Sequence, residues 1–545
     1  MIFLRSENLF PGYSRIIHSS LSTDAPSRDY LDTDWNISAQ THIMQEMAEI
    51  AMGTLDIIVV IAYVLMCIAL GARSGRSAKD LKGYFLSEGN VPSWAIMISI
   101  VATETSSATF LSVPGVAHGS NFNYLQLALG YIIGRILVAQ LLLPAYFRNE
   151  IISAYEILQN RFGTGVKTVA SGLFLITRTL GDGLRLFLAS KVIEQLLVQS
   201  GLIAADNQLA MPFSIAIMGI ATITYTYLGG MTAVIWTDVA QFAIYIAGAV
   251  IAFALIIGDI PGGWNSFISE GNANGKFQMW NFDWDLSKPF TFWAGVFGGM
   301  FLNMATHGAD QMMVQRYLSA RSQKQAASAL ITSGFVIFAQ FALFLGIGAA
   351  LWVRAQHVPQ DAGLKGDSVF VSYIIGHLPT GILGLVVAAL LAAAMSTLSS
   401  SLSSSSSALV RDFLQPFFGA KVGDQKWIKI SRMMTILFGT LQMLVAWAAT
   451  GLQESVVNNA LAIASFVTGI ILGIFCLGLA FPKVGKKAAL MGMILGLAAV
   501  SYVKFGTNTA WPWFALVGST TVVVSGLMAS RLGLDPVTSS EIKSN

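Results

Sequence analysis

The chain has 545 residues, 54% of which are hydrophobic and 11% charged, and its formal net charge at pH 7 is +3. A soluble domain carries about 25% charged residues, so this composition excludes an ordinary soluble protein and indicates helices that span a membrane. The small net charge also argues against nucleic acid as a partner.

The first 51 residues differ from everything that follows. Residues 1–51 are polar, contain no spanning run and lack the basic start and apolar core of a signal peptide. Met52 stands directly before the first apolar run. We therefore predict that residues 1–51 are a disordered tail or do not belong to the native protein.

The rest of the chain alternates between long apolar runs and short polar connections. Runs of about 18 apolar residues or more predict membrane-spanning helices. The sequence therefore predicts an all-α membrane protein with about thirteen transmembrane helices. The candidate spans are 54–73, 92–118, 123–147, 166–199, 210–230, 234–259, 290–318, 324–354, 369–410, 426–449, 454–482, 487–505 and 511–531.

Loop charges predict the orientation of these spans. Lysine and arginine favour the cytoplasmic side of a membrane. With the N-terminus outside, most loop cations, Arg316 among them, lie inside. The outside loops then hold only Lys276, Lys288, Lys365 and Lys504. We therefore expect an integral protein of the plasma membrane (in a bacterium, the inner membrane) with its N-terminus outside and its C-terminus in the cytoplasm.

The first polar stretch inside a span is 99–115. A helix broken at mid-membrane frees backbone carbonyls that can bind a cation, whereas small polar residues can also serve close helix packing. Glu104 favours a binding role, because an ionisable group at this depth is costly. The polar residues are Thr103, Glu104, Thr105, Ser106, Ser107 and Thr109.

The second is 177–185, where Arg178, Asp182 and Arg185 share one helix face. An Arg178–Asp182 ion pair is one interpretation. In the other, the excess positive charge leaves one guanidinium free to bind a carboxylate.

Two spans meet at Gly229 and Gly230, and Asp238 lies just inside the second of them. A carboxylate at this depth needs a partner, for which sodium or a basic side chain would serve.

The span at 290–318 is polar at its centre, where Asn303 and Thr306 lie, and 315–317 reads as a cytoplasmic helix end.

A serine-rich run, 392–407, continues the apolar span before it. Hydroxyls at helical spacing make one oxygen-lined face that suits a hard cation, although small residues also favour close helix packing. The hydroxyls of this face belong to Ser396, Ser399, Ser400, Ser403 and Ser407.

Together these stretches resemble the sodium:solute symporter family, whose members carry sugars, proline, sialic acid, vitamins and monocarboxylates. The similarity covers roughly residues 54–482, and its strongest motifs are 228–238, 310–316 and 393–400. It implies inverted five-helix repeats with a leucine-transporter-like core and broken helices. The expected organisation is a core with one preceding helix at 52–482, two further transmembrane helices at 483–531 and a short cytoplasmic tail at 532–545.

The resemblance also implies the coupling ion and its ligands, with no cofactor besides Na⁺. The shared sodium site would be formed by Ala102, Thr105, Ala393, Ser396 and Thr397. A possible second sodium site would be formed by Asp238, Ser396, Ser399 and Ser400. Thr105 stands where the family often has an apolar residue, and its backbone carbonyl would serve equally.

The implied function is sodium-coupled symport of a small organic solute by alternating access. Thr109 and Arg178 replace residues typical of sugar carriers, which favours a carboxylate-bearing solute. The substrate candidates are Thr103, Glu104, Thr109, Arg178, Asn303 and Thr306. A proton-coupled transporter and a membrane sensor without transport are the alternatives. We expect no enzyme, because neither a nucleophile–base pair nor a Cys/His cluster is evident, and no obligatory protein partner.

Overall fold

The computed structural model describes residues 53–74, 80–87, 91–148, 151–199, 203–204, 207–358, 366, 368–419, 423–452 and 454–534. Throughout these ranges the regular structure is helical, apart from one isolated bridge between Val91 and Ala320. The prediction of an all-α protein is confirmed. The predicted N-terminal tail at 1–51 and residues 535–545 of the predicted C-terminal tail lie outside the described residues.

The helices follow the predicted spans closely in their order. Their bounds are α1 Thr54–Ser74, α2 Leu81–Leu86, α3 Ser93–Glu104, α4 Ser107–Gly119, α5 Phe122–Arg148, α6 Glu156–Phe162, α7 Thr164–Gln199, α8 Ala210–Asp259, α9 Gly263–Ala273, α10 Gly299–Gly308, α11 Gln311–Leu318, α12 Gln323–His357, α13 Ser368–His377, α14 Ile382–Phe418, α15 Asp424–Gly451, α16 Glu454–Ala480, α17 Lys486–Gly506 and α18 Trp513–Arg531.

The predicted number of thirteen spans is not confirmed. Among the described helices, eight are long and apolar enough to cross a membrane, or nine when the bent pair α3–α4 counts as one span. The difference has physical causes. The helix α8 unites two predicted spans, α10 and α11 divide another, and α7 carries charged side chains along its length.

Two predicted breaks interrupt the spans. The axes of α3 and α4 differ by 68°. In α8, Gly230 has a φ of 58° and a ψ of −154°, a conformation that glycine adopts readily and that separates two helical halves. Both breaks lie where polar or glycine residues interrupt an apolar run.

The serine-rich helix α14 lies at the centre of the bundle. In its most apolar window 89% of the residues are buried, whereas the figure for α1 is 22%. The start of α14 is bound to α1 by Asp56, whose carboxylate accepts hydrogen bonds from the backbone N–H groups of Gly381 and Gly384 at 2.7 and 2.6 Å. A fully buried carboxylate therefore caps a helix that lies 325 residues further along the chain.

Candidate ion and solute site

The break between α3 and α4 brings backbone carbonyls next to α14. The last helical hydrogen bond of α3 joins the N–H of Thr105 to the carbonyl of Val101 at 3.1 Å. Beyond it, the hydroxyl of Thr397 donates to the carbonyls of Thr103 at 3.1 Å and Ala393 at 3.4 Å. The break thus collects carbonyl and hydroxyl oxygens, the ligands that hard cations prefer.

The residues predicted for the shared sodium site all lie on these two segments. Ala102 and Thr105 lie at the end of α3, and the other three lie on α14. All are buried: Ala102, Thr105, Ala393, Ser396 and Thr397. The hydroxyl of Thr105 donates to the carbonyl of Val101 at 2.9 Å and accepts from the amide nitrogen of Gln340 at 2.7 Å, so its backbone oxygen is the atom better placed to bind an ion.

Serines are buried on every side of α14, not on one face only. Ser401 accepts a hydrogen bond from the amide of Gln442 at 2.8 Å, and Ser406 donates to the carbonyl of Ser431 at 2.7 Å. Both of these contacts lie against α15. This helix therefore has a face that packs against α15, as the second interpretation of the run requires, and the cation-binding role of the predicted oxygen-lined face stays a prediction.

A guanidinium lies beside Asp238. Arg316 donates to the carboxylate of Asp238 at 3.1 Å, and also to the hydroxyls of Ser99 and Ser400. The hydroxyl of Ser396 donates to the other carboxylate oxygen at 2.6 Å. Of the two partners that the sequence allowed for Asp238, the structure contains the basic side chain.

This arrangement brings the predicted second sodium set together only in part. Ser396 contacts Asp238 directly, whereas the hydroxyls of Ser399 and Ser400 donate to the carbonyl of Ser396 at 3.1 and 2.7 Å. Arg316 supplies positive charge where the second ion was expected. Arg316 is also 1% exposed, so it is not the loop cation that the prediction of orientation counted, although α11 does end close to it at Leu318.

A cavity of about 330 Å³ lies beside the break. Its lining residues come from α3, α4, α5, α7, α10, α11, α14 and α16 and from the connections between them. Five of the six substrate candidates line it: Thr103, Glu104, Thr109, Arg178 and Thr306. Asn303 lies on α10 and is buried, but it is not among the residues that line the cavity.

Four charged side chains, those of Glu104, Arg178, Arg185 and Asp310, line the cavity. Glu104 pairs with Arg135 and lies 3.6 Å from the imidazole of His307. On α7, Arg178 pairs with Asp310. These contacts join α3 to α5 and α7 to the turn between α10 and α11.

Asp182 links the two arginines of α7. One of its oxygens lies 3.6 Å from Arg178, and the other pairs with Arg185. The Arg178–Asp182 pair was predicted, but the expectation that one guanidinium stays free was wrong for Arg178. Asp310, in the turn between α10 and α11, pairs with it.

Three residues of this region were missed from the sequence. Arg135 lies in the middle of an apolar span and is fully buried, and an ionisable side chain in such a run is a recognised signal of function. His307 is not among the substrate candidates, yet it lines the cavity. Gln340 is an isolated amide within the apolar part of α12, and it too is buried.

Comparison with known proteins shows similarity to sodium-coupled transporters. The family model described as the sodium:solute symporter family matches residues 84–496. The sodium/sialic acid symporter SiaT of Proteus mirabilis is 27% identical over 510 residues, which are 90% of this chain and 99% of the relative. The sodium-coupled monocarboxylate transporter 1 of Mus musculus is 27% identical over 465 residues, or 83% of this chain and 73% of the relative.

Solved structures agree as well. A Na⁺-coupled sialic acid symporter in a substrate-bound outward-open state has a TM-score of 0.80 at 26% identity, covering 89% of this chain and 99% of that one. Mhp1, a nucleobase-cation-symport-1 family transporter, has a TM-score of 0.57 at 15% identity, covering 84% and 96%. The second likeness concerns the fold alone, and it confirms the predicted leucine-transporter-type architecture.

Proposed function

The chain belongs to the sodium:solute symporter family, and from this premise we propose that the solute it carries with sodium is a hydroxylated carboxylate. Sodium-coupled solute symport is the activity of the family, and the chain is a transporter, not an enzyme. The identity of the solute and the ligands of the ion are the subjects of the proposal.

For the ion, we propose one sodium at the break between α3 and α4. The carbonyls of Ala102, Thr105 and Ala393 and the hydroxyls of Ser396 and Thr397 would bind it. The 3.1 Å contact between Thr397 and the carbonyl of Thr103 supports this assignment, because it brings oxygens of both segments together. Carbonyl and hydroxyl oxygens suit Na⁺ as a hard cation.

For the solute, the observation that carries the proposal is the position of Arg185 in the cavity. Its side chain is 41% exposed, against 13% for Arg178, and its carboxylate partner Asp182 is shared with that second arginine. A substrate carboxylate can therefore reach Arg185 with less disruption of existing ion pairs than it would cause at Arg178. A planar guanidinium binds a carboxylate through two parallel hydrogen bonds.

The rest of the lining favours hydroxyl groups on the solute. Pockets of about 300 Å³ or more hold molecules of drug size, so this cavity suits a sugar-acid solute better than a two- or three-carbon acid. Side-chain hydroxyls line it throughout: Thr103, Ser106, Thr109, Thr177, Thr306, Thr397 and Thr468. The relative from Proteus mirabilis is named for sialic acid, a solute of this chemistry.

Charge balance supports the coupling of this anion to one sodium. Glu104, Arg178, Arg185 and Asp310 line the cavity, and the buried Arg135 and Asp182 complete their ion pairs, so that three arginines balance three carboxylates. An added carboxylate would leave a net negative charge in a site of low dielectric, and one Na⁺ compensates it.

A short monocarboxylate is the second candidate solute. The relative from Mus musculus is named for monocarboxylates, and the same arginine would bind such an anion. The lining hydroxyls would then have no role in recognition.

The test is sodium-driven uptake by the purified protein in liposomes, with labelled sialic acid, lactate and galactose as probes. We expect sialic acid to be taken up only with a sodium gradient. Arg185→Gln should raise its KM by about 10- to 100-fold, since a charge-assisted pair contributes about 1.5–3 kcal/mol.

The matched control is Lys191→Gln, which removes an exposed cation on the same helix outside the cavity lining. It should leave the KM unchanged. Uptake of galactose in preference to both acids, with no effect of Arg185→Gln, would refute the proposed solute. A proton gradient that drives uptake in the absence of sodium would favour the proton-coupled alternative.

We also propose the predicted orientation, with the N-terminus outside and the C-terminus in the cytoplasm, in the inner membrane of a bacterium. The loop charges support it. Labelling of single cysteines at Lys288 and Lys429 by an impermeant maleimide in intact cells tests it: only the first should react.

A further inference from the structure

Beside the break, a phenol and an amide from two other helices meet Thr105. Tyr245 lies on the second half of α8 and Gln340 lies on α12. Tyr245 and Thr105 are fully buried, and Gln340 is 3% exposed. Neither Tyr245 nor Gln340 lines the solute cavity. These two polar side chains therefore need an explanation apart from solute recognition.

Their hydrogen bonds run in one direction. The hydroxyl of Tyr245 donates to the carbonyl oxygen of the Gln340 amide at 3.0 Å, and the amide nitrogen donates to the hydroxyl of Thr105 at 2.7 Å. That hydroxyl in turn donates to the carbonyl of Val101 at 2.9 Å. Each donor thus meets an acceptor, and the chain of bonds ends on the backbone of the last turn of α3.

The position of Gln340 makes simple packing a poor account of it. Between Ser333 and Trp352, the sequence of α12 is otherwise made of apolar residues and glycine. A buried amide is costly in such an environment unless it is hydrogen-bonded. The amide nitrogen meets that requirement at Thr105, the residue at which the helix is interrupted.

We infer that Tyr245 and Gln340 are positioning residues for the sodium site, which they adjust through Thr105 without contacting the ion. Thr105 has a φ of −84° and a ψ of 103°, so its carbonyl leaves the direction of the helix axis. The hydrogen bonds fix the side chain of Thr105 on one side of the break, while Thr397 binds the carbonyl of Thr103 on the other. This inference rests on the sodium site proposed above.

The experiment measures sodium-dependent thermal stabilisation of the purified protein, which needs no solute. Thr105→Val and Gln340→Leu should each raise the sodium concentration for half-maximal stabilisation by about ten-fold, because each leaves a buried polar group without its partner. The double variant Thr105→Val/Gln340→Leu should raise it by about ten-fold as well, no more than either single variant, because both substitutions break the same chain of hydrogen bonds.

Two further variants guard against misfolding as an explanation. Thr105→Ser keeps the hydroxyl and should retain the wild-type sodium dependence. Thr222→Val removes a buried hydroxyl whose one partner among the described residues is the carbonyl of Met218 on its own helix, and it serves as the matched control.

The outcomes distinguish a failure of this inference from a failure of the proposed sodium site. If the wild type responds to sodium but the single variants shift no more than Thr222→Val, the inference is overturned while the sodium site stands. The same holds if the double variant shows the product of the two single effects. A wild type that does not respond to sodium overturns the site itself and the inference with it.

Discussion

Two groups of arginine and carboxylate side chains lie within the helix bundle. They differ in their access to the cavity. In the Asp238–Arg316 group, the side chains are 0% and 1% exposed. In the group of Arg178, Asp182, Arg185 and Asp310, the two arginines are 13% and 41% exposed. The first is enclosed by α3, α8, α11 and α14, whereas the second forms part of the cavity wall.

The difference indicates different roles for the same chemistry. Arg316 is held by Asp238, by the hydroxyls of Ser99 and Ser400 and by the carbonyl of Met312 at 2.6 Å, so no substrate group can replace a partner without opening the protein. In the cavity group, one carboxylate serves two guanidiniums, and water or solute can reach one of them. The enclosed group therefore fixes the relative positions of helices, and the open group can exchange partners.

The largest expected effect follows from Asp238→Asn. Removing one member of a buried ion pair leaves the guanidinium of Arg316 uncompensated, which costs about 3–5 kcal/mol. We expect most of the folded protein to be lost, as measured by fluorescence-detected size exclusion and thermal unfolding.

The double variant Asp238→Asn/Arg316→Gln removes both charges and should recover much of the folded fraction. An Asp238→Asn protein with the wild-type melting temperature would contradict the enclosed character of this group.

A smaller effect is expected for Asp182→Asn in the open group. Arg178 keeps Asp310 as a partner, so the fold should remain, with a stability loss of about 1–3 kcal/mol from the weakened hydrogen bonds. Arg185 loses its carboxylate, and the KM for sialic acid should fall several-fold. The measurement is uptake in liposomes alongside the melting temperature. A collapse as severe as that of Asp238→Asn would erase the distinction between the two groups.

The smallest effect is expected for Ser399→Ala. Its hydroxyl donates to the carbonyl of Ser396 on the same helix, and Arg316 already neutralises Asp238. The sodium dependence of initial uptake should therefore show a Hill coefficient near one in the wild type and in the variant. A coefficient approaching two in the wild type, lowered by Ser399→Ala, would establish the second sodium that the resemblance implied.

Local sequence was enough to predict the features that depend on one segment. The polar run through Thr105 and the pair at Gly229 and Gly230 both predicted interruptions, because a break needs only the residues at the break. The burial of the serines on α14 followed in the same way from an apolar run that continues through them.

Partner choice between helices was not predictable by the same means. Spacing along α7 could pair Arg178 only with Asp182, whereas its closer partner Asp310 lies 132 residues away. Arg316 was read as a loop charge because it follows a polar segment, and only tertiary packing carries it back to Asp238. A single sequence indicates which segments form helices. It does not indicate how those helices are rotated and shifted along their axes relative to one another.

The bond between Asp56 and the start of α14 has a consequence for biosynthesis. The amides of Gly381 and Gly384 leave the ribosome more than 320 residues after the carboxylate that receives them. At about 5–20 residues per second, α1 waits roughly 15–65 s for this partner. During that interval an ionisable side chain stands at the end of an otherwise apolar nascent helix, where the lipid headgroups or a neighbouring helix must solvate it. The packing of helices around α14 is thus among the later events in the maturation of the chain. Asp56, which caps α14, is among the earlier residues to be synthesised.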